Sequence, residues 1–146
     1  MQIVVSLEKH ALLNDNAPLA LKETFVKTNT ALMTTNINYM FSGCTCVVSY
    51  LRGRTLWVAN VGDSRAVMAV KQGTKLVAKD LSRDHKPDDP EESLRIHQWG
   101  GFVAPPREVG LSARVYLDKE FTMIGLAMAR SIGMTSAIRY VIENLP

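Results

Sequence analysis

Residues 56–70, LWVANVGDSRAVMAV, set two strand-forming runs on either side of a tight break at Gly62-Asp63-Ser64. Trp57, Val58 and Val61 precede the break, and Val67, Met68 and Val70 follow it. β-Branched and aromatic residues suit a pleated, half-buried surface. Gly permits positive φ, and Asp and Ser hydrogen-bond their local backbone, so the break suits a turn. The residues allow two readings. In one, a β-hairpin carries an acid in its turn, which is commonplace and is what local physics favours. In the other, Asp63 is held at a sheet edge as a metal ligand. The flanking sequence has to choose between them.

Outward from this stretch the period of two continues. Cys44 to Leu51 alternates, Arg52-Gly53 turns, and Arg54 to Val61 forms the next strand. Arg65 to Val70 is a third strand, Gln72-Gly73 a turn, and Thr74 to Lys79 a fourth. Short strands joined by tight turns predict an antiparallel meander. Cys46, Val48 and Tyr50 point one way, and Val47 and Leu51 the other. A sheet apolar on both faces is covered on both faces. A helix is the expected cover of one face and a second sheet that of the other.

That helix is legible upstream. Asn16 can cap it and Pro18 suits its first turn. Leu21, Phe25, Thr28 and Leu32 recur at helical spacing, which predicts a helix over 18–34. Residues 3–13 carry the apolar spacing of the last turns of another helix, broken by Asn14-Asp15-Asn16. Downstream, residues 80–89 read as a polar loop. A helix follows over 89–99, with Asp88 or Asp89 as cap and Glu91 and Glu92 at its positive end. Gly100-Gly101 stops it. Phe102-Val103 and Val115 to Leu117 suit short strands, and Ile124 to Ile132 has helical composition, ended by Gly133.

The chain has 146 residues, enough for one domain or part of one. A hydrophobic fraction of 47% suffices for a core, while a net charge of +3 is too small to argue for nucleic acid or a membrane surface. No apolar run approaches the roughly 20 residues that span a bilayer. The start lacks the basic segment and long apolar run of a secretory signal. Cys44 and Cys46 are the two cysteines. They complete neither a zinc set nor a disulfide framework, and read as buried free thiols of a reducing compartment, the cytoplasm or nucleus.

Several blocks resemble the metal-dependent protein serine/threonine phosphatases of type 2C. Ser42-Gly43-Cys44-Thr45 is similar to that family's SG-T strand start, and residues 57–66, WVANVGDSRA, to its strand-turn-strand. Asp84-His85-Lys86-Pro87, with Pro90, Glu92, Arg95-Ile96 and Gly100-Gly101, is similar to its DHKP segment and the glycine pair that follows. Residues 125–133, GLAMARSIG, resemble its LA-SR-xG segment. The blocks run in family order over about residues 17–133.

The resemblance implies an α+β fold: an α-β-β-α sandwich, here incomplete, with antiparallel sheets covered by helices. It implies hydrolysis of phosphoserine or phosphothreonine on proteins by water activated between two Mg²⁺ or Mn²⁺ ions. Asp63 is similar to a family ligand of a third, weakly held ion, with Gly62, Ser64 and Arg65 supporting its turn. The family's DGHGG segment is expected upstream and its DGxWD and DN segments downstream, so residues 1–146 read as a partial domain with a divergent tail over 134–146. On this reading the core catalytic carboxylates lie outside the chain, no catalytic residue is assigned, and the isolated chain is impaired. The alternative is a non-catalytic phosphatase-like binding or regulatory module. The expected partner is a phosphoprotein, with self-association through exposed sheet edges, and neither nucleic acid nor membrane.

The remaining polar residues have plain readings. His85 is structural within its loop, His97 surface or packing, and His10 without a role. Glu92 and Arg95 form an i,i+3 surface ion pair worth ~0.2–0.5 kcal/mol. Lys71, Lys75 and Lys79 are solvated strand charges. Arg107 and Arg114 are loop charges, with a phosphopeptide contact as the less favoured alternative.

Overall fold

The computed structural model describes residues 3–37, 42–123 and 125–133. The chain runs α1 (Ile3–Glu8), α2 (Ala17–Met33), β1 (Gly43–Cys44), β2 (Cys46–Arg52), β3 (Thr55–Val61), β4 (Val67–Gln72), β5 (Lys75–Asp80), α3 (Pro90–Gln98), β6 (Phe102–Ala104), β7 (Arg114–Tyr116) and β8 (Ile132–Gly133). This is an α+β chain of helices and small antiparallel ladders. Residues 134–146, expected to be a divergent tail, lie outside the described residues.

Local chemistry starts both longer helices. The Asn16 side chain accepts the Leu19 amide at 3.2 Å, and Asp89 accepts that of Glu91 at 3.1 Å. Each satisfies one of the amides that a helix start leaves without a partner. α1 is shorter than its apolar spacing predicts. The His10 ring takes the Leu12 amide at 3.3 Å, and the chain leaves the helix after Glu8.

β2 pairs with β3 from Cys46↔Val61 to Arg52↔Thr55, and β4 with β5 from Val67↔Asp80 to Gln72↔Lys75. Each two-residue loop opens on a glycine at φ 60°, Gly53 in one and Gly73 in the other, which matches hairpin twist. The expected meander is not what forms. β3 and β4 share no ladder and belong to separate two-stranded sheets. The Gly62-Asp63-Ser64 break is therefore a crossover between two hairpins and not a hairpin turn. The physical reason is that the polar groups of Gly62 are taken by His85: its amide by the ring at 3.1 Å, its carbonyl by the His85 amide at 3.0 Å.

Residues directly opposite in a ladder share a face. Cys46, Val48 and Tyr50, with Val61, Ala59 and Trp57 opposite, face α2. They pack against Ala20, Leu21 and Phe25, and the Tyr50 and Trp57 rings stack at 5.6 Å. This is the helical cover that the alternation demanded. The other face is uncovered among the described residues: Val47 and Leu56 are exposed, and Leu51 is 66% exposed. Among the described residues β4–β5 forms a separate two-stranded ladder and does not extend β2–β3. Lys71, Lys75 and Lys79 are exposed on that second hairpin.

A separate core joins Ile96 of α3 to Val115 and Ala129. It explains why residues 125–132 are not the helix their composition predicts (Ile124 lies outside the described residues). Leu126 exchanges two backbone hydrogen bonds with Val115, the Ala129 amide donates to the His85 carbonyl at 2.8 Å, and β8 pairs with β1. Tertiary partners here outweigh a weak helical propensity. Both cysteines are free thiols, but neither is fully buried as expected: Cys44 is exposed and Cys46 half-buried. Among the described residues no helix is long and apolar enough to cross a membrane.

Candidate functional site

The site is built on Gly62, which is buried and sits at φ 99°. Its α-carbon lies directly over Thr45, which leaves no room for a side chain. The Thr45 hydroxyl meets the Ser64 hydroxyl at 2.7 Å. Asn60 spans the crossover from the other side. Its Nδ2 donates to the Gly62 carbonyl at 3.1 Å and to that of Arg83 at 3.0 Å. The turn is thus gripped by Thr45, Asn60 and His85 together.

Asp63 points from this turn to Lys86, whose ammonium donates to Oδ2 at 2.9 Å. Arg65 does not pair with Asp63. Its guanidinium donates to Asp84 at 2.8 Å and to Asp80 at 2.9 Å, tying the crossover to the end of β5 and the loop beyond it. The Arg65 hydrogen bond holds the Asp84 carboxyl below the usual aspartate range. Ser82 completes the bracing by accepting the Ala66 amide at 2.9 Å.

His85 is more than loop filler. Burial lowers its pKa, and the charges of Arg130, Arg95 and Arg83 push the same way against Glu92. The neutral ring is assigned its proton on Nε2, because Nδ1 has to accept from Gly62.

Behind His85 lies a buried charge cluster. Glu92 is only 6% exposed. Arg130 donates to it through Nε at 3.0 Å and through Nη2 at 2.6 Å, and Arg95 donates through Nη2. Arg95 also reaches the Ala129 carbonyl at 3.0 Å. Burial alone would raise the Glu92 carboxyl, but the hydrogen bonds from Arg130 and Arg95 outweigh it and lower it. The expected surface pair is therefore wrong in kind. The i,i+3 spacing reveals Arg95, whereas Arg130 is 38 residues away and gave no local signal.

The other candidates fall outside this arrangement. His97 is exposed and donates to the Ser93 carbonyl at 2.7 Å. His10 bonds Glu23 at 3.2 Å. Arg114 braces the Gly125 carbonyl at 2.7 Å, while Arg107 is exposed. A large groove lies between α1 and α2, lined by Lys9, Leu12, Glu23 and Lys27 among others, with none of the turn residues in its walls. Among the described residues no group of three or more His, Cys, Asp or Glu converges to hold a metal ion.

Comparison with known proteins gives this geometry a setting. The sequence profile of the family described as protein phosphatase 2C matches residues 2–145. Probable protein phosphatase 2C 6 of Arabidopsis thaliana is 41% identical over 145 residues, covering 95% of this chain and 29% of that protein. Probable protein phosphatase 2C 12 of Oryza sativa subsp. japonica is 46% identical over 99 residues, 67% of this chain and 25% of that one. The crystal structure of serine-threonine phosphatase 2C from Toxoplasma gondii superposes with a TM-score of 0.73 at 24% identity, over 96% of this chain and 49% of that chain. That likeness shows the fold. The chain spans 29% and 25% of the length of the two plant relatives. With the family profile running across nearly all of its length, the chain belongs to the protein phosphatase 2C family.

Proposed function

We propose that this chain supplies the sheet and the Asp63 turn of a phosphatase acting on phosphoserine and phosphothreonine in proteins. The observation that carries the reading is the rigid presentation of one carboxylate. Asp63 stands on a turn held by Thr45, Asn60 and His85, and its partner Lys86 belongs to the same family-like segment as His85. A carboxylate fixed in this way is a hard-oxygen donor suited to Mg²⁺ or Mn²⁺.

The described residues do not themselves fit a binuclear magnesium or manganese centre. Asp63 carries the Lys86 ammonium, and no cluster of further donors surrounds it. One carboxylate is a poor site for either ion. No hydrolytic step is therefore assigned to these residues. Asp63 is proposed as a ligand of a third, weakly held ion, with Gly62, Ser64 and Arg65 as its supports. The same ion pair favours a second reading, a phosphatase-like module that binds a phosphoprotein without turning it over.

Turnover of a phosphothreonine peptide with added Mn²⁺, measured in a domain completed with the family's DGHGG and DGxWD segments, separates the two. On the first reading, Asp63→Ala lowers kcat/KM about tenfold or more and hardly moves the melting temperature. Peptide binding without turnover, indifferent to Asp63→Ala, would establish the second. The open face of β2–β3 adds an expectation about partners. Val47, Leu51 and Leu56 form an apolar surface that promotes self-association. Sedimentation should then show apparent mass rising with concentration, and Leu51→Lys should suppress the rise. A concentration-independent monomer would exclude it.

A further inference from the structure

We infer that His85 is the positioning residue of the Asp63 turn, its imidazole and its own amide together gripping both backbone polar groups of Gly62. The inference deepens the proposed function and rests on it for its catalytic meaning, but its geometry stands on its own.

Gly62 is buried and leaves its strand with a positive φ, so its amide and carbonyl point away from any ladder. A buried amide without an acceptor is strongly disfavoured. The Gly62 amide donates to His85 Nδ1 at 3.1 Å, and the Gly62 carbonyl accepts the His85 amide at 3.0 Å. This two-way bond fixes where the chain turns, and hence where the next residue, Asp63, presents its carboxylate. Lys86, adjacent to His85, then takes that carboxylate at 2.9 Å. One dipeptide holds the backbone of the turn with its first member and the acid with its second.

His85 is itself held from behind. The Ala129 amide donates to the His85 carbonyl at 2.8 Å, and Arg95 donates to the Ala129 carbonyl at 3.0 Å. Arg95 and Arg130 converge on buried Glu92. The placement of Asp63 is thus set through contacts reaching back to α3. A histidine suits the position because Nδ1 offers an acceptor close to the backbone. Asparagine can place its carboxamide oxygen near the same point, whereas glutamine reaches toward the site of Nε2.

That difference supplies the test. Amide hydrogen exchange of the full chain is followed by NMR for wild type, His85→Ala, His85→Asn and His85→Gln. A lost local hydrogen bond should speed exchange at Gly62 about tenfold in the alanine and glutamine variants, while asparagine stays within about threefold of wild type. Val48 and Ala59, in the ladder beside the turn, should keep their protection in all four proteins, and the Asp63 amide signal should shift only where Gly62 is released. If alanine fails to fold, the contrast between asparagine and glutamine decides alone. Unchanged Gly62 exchange in the glutamine variant would overturn the assignment. So would an asparagine variant that loses protection across the whole ladder, since His85 would then be packing only. Exchange does not depend on turnover. The predicted pattern, combined with turnover by a completed domain that Asp63→Ala leaves unchanged, would therefore sink the proposed function and leave the positioning role intact.

Discussion

Replacing Glu92 by alanine is expected to lower the unfolding free energy by about 3–5 kcal/mol, the loss seen when one member of a buried ion group is removed. The carboxylate lies at the centre of the group. Arg130 approaches it along one edge and Arg95 from its own helix, and without it two guanidinium groups face each other in a half-buried site. Small domains have total stabilities of about 5–15 kcal/mol, so a loss of this size brings the chain near unfolding at room temperature. Chemical denaturation of both proteins measures it. Replacing all three members with apolar residues, as in Glu92→Leu with Arg95→Leu and Arg130→Met, should recover most of the loss, because no buried charge is then left alone. A single substitution costing under about 1 kcal/mol would mean that the cluster behaves like an exposed pair.

Acid sharpens the same prediction. Glu92 is lowered in the folded protein from its ordinary value of 4.5. The unfolded chain therefore binds the proton first as pH falls, and the stabilisation is present above pH 4.5 and lost through the lower folded value. His85 is lowered from 6.5 by burial, with Arg130, Arg95, Arg83 and Glu92 around it. Its unfolded form also takes the proton first, so stability begins to fall as pH drops through 6.5. Two acid limbs should appear in the wild type. Glu92→Ala should shrink the lower one, to which the lowered carboxyls of Asp84 and Asp89 also contribute, and His85→Asn should remove the upper.

What could be read from the residues follows how far each feature's partners lie along the chain. Helices α2 and α3 are legible because Asn16 and Asp89 cap amides within three residues of themselves. The two hairpins are legible because Gly53 and Gly73 carry their own turns. The relation between the hairpins is not. Whether β3 folds back on β4 depends on who takes the Gly62 amide, and the acceptor is 23 residues away. Residues 125–132 fail for the same reason, since Val115, His85 and β1 claim their backbone. At the site, Asp63 stands out as an acid in a turn, and Lys86 lies in a segment that resembles the family. Their contact joins two loops, and no spacing rule connects them. Glu92 illustrates the hazard of local rules most clearly. Its i,i+3 partner is real, yet its burial and its bonds to Arg130 make it a different kind of group.

The crossover itself carries the second large effect. Gly62→Ala should destabilise the chain by about 3 kcal/mol or more, from two independent causes. The first is conformational. At φ 99° an L side chain is strained whatever space surrounds it, at a cost of roughly 1–3 kcal/mol. The second is steric. A Cβ at Gly62 would collide with the Thr45 methyl, and would lie 2.8 Å from Thr45 Cβ and 3.1 Å from its backbone Cα. Moving Thr45 away would break its 2.7 Å bond to Ser64, and moving Gly62 would pull its amide from His85. Gly73→Ala separates the causes. Gly73 also has positive φ, at 60°, but a Cβ there meets nothing within 4 Å, so only strain of about 1–2 kcal/mol applies. A Thr45→Ala background removes the methyl while Cβ and Cα remain, so it should relieve only part of the Gly62→Ala loss. If urea titration puts Gly62→Ala no lower than Gly73→Ala, the turn is not held against Thr45. The rigid presentation of Asp63 then loses one of its three supports.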